Sequence, residues 1–183
     1  MAVNLFAEGI HRVPVANSTG GIIGTLSQTD IVKYLHTHLV EGELKHVGNK
    51  TVKELGLSNK TVVTVNIHDC VLAALEVIVD RSVSGVGVID SNGKLAGNLS
   101  ASDFKALYKE QFPSFLLPVG DFLEKHSPAS LNPICGTENT TLIEVINEMV
   151  ENHIHHLYII EDFKPVGIIS ATDVMKSLRD FVL

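Results

Sequence analysis

A chain of 183 residues with 45% hydrophobic residues can bury a core in one or two modest domains and is too apolar to stay disordered. Its formal charge of −7, with 14 scattered Lys and Arg, argues against a nucleic-acid surface, and no apolar run approaches the ~18 residues that span a bilayer, so neither nucleic acid nor membrane is expected as a partner. Cys70 and Cys135 stand far apart with no Cys-x-x-Cys pair, and the first fifteen residues lack a secretory signal, which together suit a cytoplasmic or nuclear protein.

The first recognisable elements lie in "HRVPVANSTGGIIGTLSQTDIVKYL", where two β-rich runs joined by Asn, Ser and Gly predict a hairpin and an amphipathic helix follows Asp30. Residues 1–10 supply no opening strand and full helix, so this first unit reads as incomplete. Segment 41–60 connects it to the next and carries a short helix candidate, "TVKELGL". "TVVTVNIHD" then reads as a strand and a cap, and "CVLAALEVIVDRSV" sets Val71, Leu72, Leu75, Ile78 and Val79 along a helical stripe. A second hairpin, "SGVGVIDSNGKLAGNLS", runs into a helix predicted over "ASDFKALY". Segment 110–132 is the second connector, with "VGDFLEK" as its helix. In the third unit Leu142, Val145, Ile146, Met149 and Val150 share one helix face, with Thr141 as N-cap and Glu144 completing a capping box. "HHLYIIEDFKPVGIIS" is the third hairpin, and a helix follows "ATD" to the C-terminus.

The chain therefore repeats itself. Gly-x-apolar-Ser-x-Ser/Thr-Asp occurs as "GTLSQTD", "GNLSASD" and "GIISATD", with the aspartates separated by 73 (103 − 30) and 70 (173 − 103) residues. The full unit reads strand, helix, strand, strand, helix. This predicts an α/β (α+β) fold with a partial repeat over 1–40 and full repeats over 41–110 and 111–183. Such units of roughly 60 residues cover their apolar faces poorly alone, so the second and third are expected to pack as a pseudo-twofold pair, with the half-unit beside them.

The Ser-x-Ser/Thr-Asp corner has two readings. A Ser followed three residues later by an acid starts a helix, with Ser170 accepting from the amide near Asp173. Two features exceed that role. The acid is always Asp, where Glu or Gln would reach back more easily, and a hydroxyl (Thr29, Ser102 or Thr172) always precedes it. An Asp at a helix start is suited to the vicinal hydroxyls of a ribose. Asp30, Asp103 and Asp173 are thus candidate ribose ligands, with Thr29, Ser102, Thr172 and Ser170 beside them. Candidate phosphate contacts open each hairpin: His11 and Arg12, Ser84, then His155 and His156.

Hairpins opening "HRVPV" and followed by "GTLSQTDIVKYL" resemble the cystathionine-β-synthase (CBS) domain family, over nearly the whole chain as one half-repeat and two full repeats. That resemblance implies tandem β-α-β-β-α repeats of Bateman-module type that bind adenosine-containing ligands, expected here in clefts between the second and third repeats. Within the family the chain most resembles the γ regulatory subunits of AMP-activated protein kinases. On that register His11 and Arg12 fall in a second-type repeat, Ser84 in a third and His155 in a fourth, all facing phosphates. His156 stands where the family pattern has Arg. The resemblance implies AMP, ADP or ATP as a regulatory ligand, held by Asp103 or Asp173, and kinase catalytic or scaffold subunits as protein partners.

Other chemistries find less support. His155 and His156 should face opposite sides of a strand, so no metal site is expected. Ser27, Ser100 and Ser170 sit in no Gly-x-Ser-x-Gly elbow, and nothing assembles a nucleophile, base and orienter, so the chain is not expected to be an enzyme. The rival reading is a ligand-independent scaffold, in which Ile10, Val13 and Val15 of the unfinished first repeat are covered by a homodimer.

Overall fold

The computed structural model describes residues 2–38, 45–58, 60–105 and 107–182. Three small sheets carry the strands. β1 (Arg12–Ala16) and β2 (Ile22–Ser27) form an antiparallel ribbon. β3 (Thr64–Asn66) pairs parallel with β4 (Gly85–Ile89), which pairs antiparallel with β5 (Leu95–Ser100). β6 (Cys135–Gly136), β7 (His156–Glu161) and β8 (Lys164–Ser170) follow in that order in the third. The helices are α1 (Ala2–Ala7), α2 (Gln28–His38), α3 (Lys45–Gly48), α4 (Val71–Asp80), α5 (Val119–His126), α6 (Leu142–Glu151) and α7 (Ala171–Val182). The mixed α/β class is the expected one. Among the described residues no helix is long and apolar enough to cross a membrane.

Contacts divide the chain into two compact units, one of Met1–Lys60, Gly136–Ile159 and Ile168–Leu183, the other of Thr61–Cys135 and Ile160–Gly167. In the first unit α1 packs on α7, and α2 packs on α6 and α7, so helices of the first copy join helices of the third. Its core includes Phe6, Val32, Leu35, Leu142, Val145, Ile146, Met149, Val174, Met175 and Leu178, all buried. Four of the five predicted face residues of α6 are in that core, and the Thr141–Glu144 capping box is present. In the second unit α4 packs on α5, around Val71, Ala74, Ile78, Val86, Val88, Leu99 and Phe122.

Several local expectations do not hold. α1 was not foreseen in residues 1–10. On α4, Leu72 is 48% and Val79 73% exposed, because the buried face runs through Val71, Ala74 and Ile78 instead. "TVKELGL" makes a single capped turn: Thr51 and Glu54 close a box, and Gly56, at φ +66, stops the chain from continuing as a helix. "ASDFKALY" forms a 3-10 turn over Ala101–Phe104, followed by a second 3-10 segment over Lys109–Leu116 that contains Pro113. A proline lacks the amide donor and disfavours α geometry before it. The turn also delivers Phe104 to an aromatic cluster, with ring centroids 5.2 Å from Phe122 and 5.7 Å from Phe115. Tertiary packing here overrides the helical pattern.

Candidate functional site

Each Ser-x-Ser/Thr-Asp corner begins as a helix start. The Oδ2 of Asp30 accepts the Ser27 amide at 2.8 Å and the Ser27 hydroxyl at 2.7 Å. Asp103 does the same with Ser100 at 2.7 and 3.0 Å, and Asp173 with Ser170 at 2.8 and 2.6 Å. Glu144 makes the same pair of bonds to Thr141, both at 2.8 Å. Asp therefore reaches back as readily as the Glu or Gln expected to do so more easily. One methylene fewer still closes the box, since the bond spans a single turn.

The copies share a second contact. The amide after each corner Ser donates to the carbonyl of the residue that opens the hairpin: Gln28 to His11, Ala101 to Ser84 and Ala171 to His155, at 3.0–3.1 Å. Residues predicted to face phosphate are thus tied to each corner in the same way.

What distinguishes the corners is the rest of each carboxylate. Asp103 uses its other oxygen, Oδ1, to accept the Ser130 hydroxyl at 2.9 Å. Asp173 is 7% exposed, and its Oδ2 also accepts Lys60 Nζ at 3.1 Å. Asp30 is exposed, and its Oδ1 has no hydrogen-bond partner among the described residues. Bonds from Ser27 hold its carboxyl below the ordinary value, helped by the charges of Lys33 and Arg12.

Asp173 titrates under opposing influences. Burial raises its pKa, but the Ser170 hydroxyl and amide and the Lys60 charge outweigh it and leave the carboxyl below 3.8. A carboxyl depressed in the fold stabilises fully above its unfolded value, and that contribution is lost as pH falls through the folded value. Lys60→Met should therefore lower the melting temperature most near neutral pH, with the deficit shrinking as pH falls through the folded value of Asp173, measured by thermal melts from pH 7 downward. Coincident curves at neutral pH would show that the ion pair contributes nothing.

The first unit gathers most of the predicted residues: His11, Arg12, Thr29, Asp30, His155, His156, Ser170, Thr172 and Asp173. Ser84, Ser102 and Asp103 lie in the second. His11 Nδ1 lies 3.0 Å from Gln28 Oε1, while Gln28 Nε2 donates to Thr172 Oγ1 and to the Phe6 carbonyl, each at 2.9 Å. Gln28, only 5% exposed, is the hub that orients His11 and Thr172. His156 stands edge-on to Tyr158, and burial with the neighbouring His155 charge pushes its imidazole pKa down.

Within that unit lies a cavity of 240 Å³ between the start of α2 and the end of α6. Val32, Met149, Val150, Ile154 and Ala171 form its apolar floor. Thr29, Lys33, His153 and His155 supply its polar lining, so Thr29 and His155, predicted from different copies, meet here. His11, Arg12, Asp30 and His156 are not among the lining residues. Gln28, Lys33, Lys60, Ser130 and His153 were not foreseen. Among the described residues no group of His, Cys, Asp or Glu is arranged to hold a metal ion.

A profile of the CBS domain matches residues 1–37, 52–110 and 119–180. The chain belongs to the CBS domain family. This CBS chain is 26% identical over 182 residues to 5′-AMP-activated protein kinase subunit gamma-3 of Bos taurus, covering 95% of the chain and 36% of that protein. Against the crystal structure of a Methanocaldococcus jannaschii protein proposed as an archaeal homologue of the γ subunit, it reaches a TM-score of 0.72 at 20% identity, over 96% of this chain and 62% of that one. A CBS domain pair crystallised with 5′-methylthioadenosine and S-adenosyl-L-methionine gives a TM-score of 0.57 at 17% identity, over 72% of this chain and 98% of that one. The CBS chain spans about a third of the length of most of the curated relatives it matches, and 59% of one from Arabidopsis thaliana.

Proposed function

We propose that this CBS chain is a regulatory module that binds an adenine nucleotide beside Asp30 and conveys its ligand state to a protein partner of the kinase type. The observation that supports it most is the cavity in which Thr29 and His155 meet, with Asp30, the one exposed carboxylate of the three corners, next to Thr29 in the chain. In this reading the base lies on the floor of Val32, Met149 and Ile154. Asp30 Oδ1 accepts the ribose hydroxyls, and Arg12 and His155 face the phosphates. Asp103 and Asp173, with Ser102, Thr172 and Ser170, serve helix starts and fold contacts first. Ser84, His11 and His156 are secondary ligand candidates.

The kin of this chain support the ligand class. One relative is named as a subunit of an AMP-activated kinase, and one structural neighbour was crystallised with two adenosine-containing compounds. A nucleotide touching both α2 of the first copy and α6 of the third can shift their arrangement only by its differential affinity for two states, and a partner would read that shift. The repeats of this reading are 1–40, 41–110 and 111–183, acting without catalysis in the cytoplasm or nucleus. Calorimetry and thermal shift with AMP, ADP, ATP and S-adenosylmethionine test it, since a ligand of the native state raises its melting temperature. No binding at millimolar nucleotide rejects it.

One observation favours a scaffold role in addition. On the first ribbon Ile22 is 74% and Ile23 66% exposed, with Ile10 and Val15 near 40%. A homodimer covering that ribbon would appear in light scattering, and a monomer across a wide concentration range rejects it.

A further inference from the structure

We infer that Lys33 and His153, beside Arg12 and His155, make this site count phosphates: affinity rises along adenosine, AMP and ATP, and these two side chains carry part of the increase. The inference rests on the adenine-nucleotide reading above. A cavity of 240 Å³ falls below the ~300 Å³ at which small-molecule sites begin, so a whole nucleotide exceeds it and part of the ligand must lie among the exposed side chains of its rim. The floor is apolar and buried, with Val32 4%, Met149 3% and Ala171 7% exposed. The exposed lining side chains are Lys33, His153 and His155, each able to donate to phosphate oxygens.

Local structure puts them together. Thr29 and Lys33 are four residues apart on α2 and so share a helix face at its positive end, which favours anions. His153 follows the end of α6 with φ +54, a left-handed position usually given to Gly. The His153 amide reaches the Val150 carbonyl at 3.4 Å and the Ile154 amide reaches that of Met149 at 3.1 Å, which turns the chain off the helix. His153, Ile154 and His155 consequently line one cavity in succession. The carbonyl end of α6 repels an anion, so the attraction there must come from these side chains. Asp30 is the acid whose charge reaches Lys33, and Arg12 offsets it. The second copy has Ser82 and Ser84 where the third has His153 and His155, and the first has Gly9 where the third has His153, so the three cations meet at this one cavity and His153 belongs to no other copy.

Calorimetric titration of the full chain with adenosine, AMP and ATP tests the inference. Wild type should bind ATP more tightly than AMP and AMP more tightly than adenosine. Lys33→Met and His153→Asn should each weaken ATP binding about tenfold, as loss of one charge-assisted bond predicts, and leave adenosine unchanged. Asn tolerates the left-handed backbone, and Lys33→Arg should restore ATP affinity. Equal losses for adenosine and ATP, no loss for ATP, or wild-type affinity indifferent to phosphate number overturn the inference while nucleotide binding itself stands. A wild-type chain that binds none of the three overturns the functional reading and this inference with it.

Discussion

Asp30→Ala should weaken AMP binding about a hundredfold, the loss expected when two hydroxyl bonds to a carboxylate disappear. The same change also removes the acceptor for the Ser27 amide and hydroxyl, so helix α2 loses its box and the protein about 1 kcal/mol. Asp30→Asn separates the two effects. Its carbonyl oxygen can still close the box, but its amide nitrogen replaces the oxygen that would accept ribose. Asn should therefore melt close to wild type and bind as poorly as Ala. Asp103→Ala and Asp173→Ala should show the opposite pattern, because Ser130 and Lys60 already use those carboxylates. They should lower the melting temperature with AMP affinity changed less than about threefold, since neither contacts the ligand in this account. Calorimetry paired with thermal melts on the four variants distinguishes the outcomes, and an Asp30→Ala protein with wild-type affinity would remove that corner from the site.

Phe122→Ala should be the most damaging single core change, at about 3–5 kcal/mol. Phe122 is fully buried on α5, with ring centroids 5.2 Å from Phe104, 6.5 Å from Phe115 and 5.0 Å from His126. Removing the ring leaves a void that the 3-10 segments carrying Phe104 and Phe115 would fill only by leaving their own positions. For a chain of this size the loss corresponds to roughly 6–20 °C in melting temperature. Urea unfolding followed by circular dichroism measures it, and a cost under about 1 kcal/mol would mean that the cluster collapses without penalty.

The repeat made much of the architecture legible. Even spacing of Asp30, Asp103 and Asp173 located the hairpins and helix starts, and the period of α6 selected its buried face. The errors fall where distant packing decides. Leu72 and Val79 fit a helical stripe as well as their buried neighbours do, and only the elements laid against α4 choose between the two. "ASDFKALY" has a helical pattern, but Pro113 downstream and the pull of Phe122 on Phe104 break it. The helix-start reading of the corner holds in every copy, since all three aspartates accept from their own corner Ser.

The site was legible to the extent that it is repeated. Thr29, Asp30 and His155 were found because counterparts recur at matching positions. Lys33 recurs as Lys176, three residues after its own corner Asp, but His153, Gln28, Lys60 and Ser130 follow no repeat, and they gain meaning only when chain segments more than a hundred or a few tens of residues apart come together, as Lys60 and Asp173 or Asp103 and Ser130 do. A single sequence holds no local signal for such meetings.

Amide chemical-shift mapping during an AMP titration addresses the central claim, that one nucleotide lies between the start of α2 and the end of α6. The account predicts saturable shifts concentrated at Thr29, Asp30, Lys33 and residues 153–155, with Ser84, Ser102 and Asp103 little moved. Shifts centred on Ser84 and Asp103 instead, or none at saturating AMP, would contradict it.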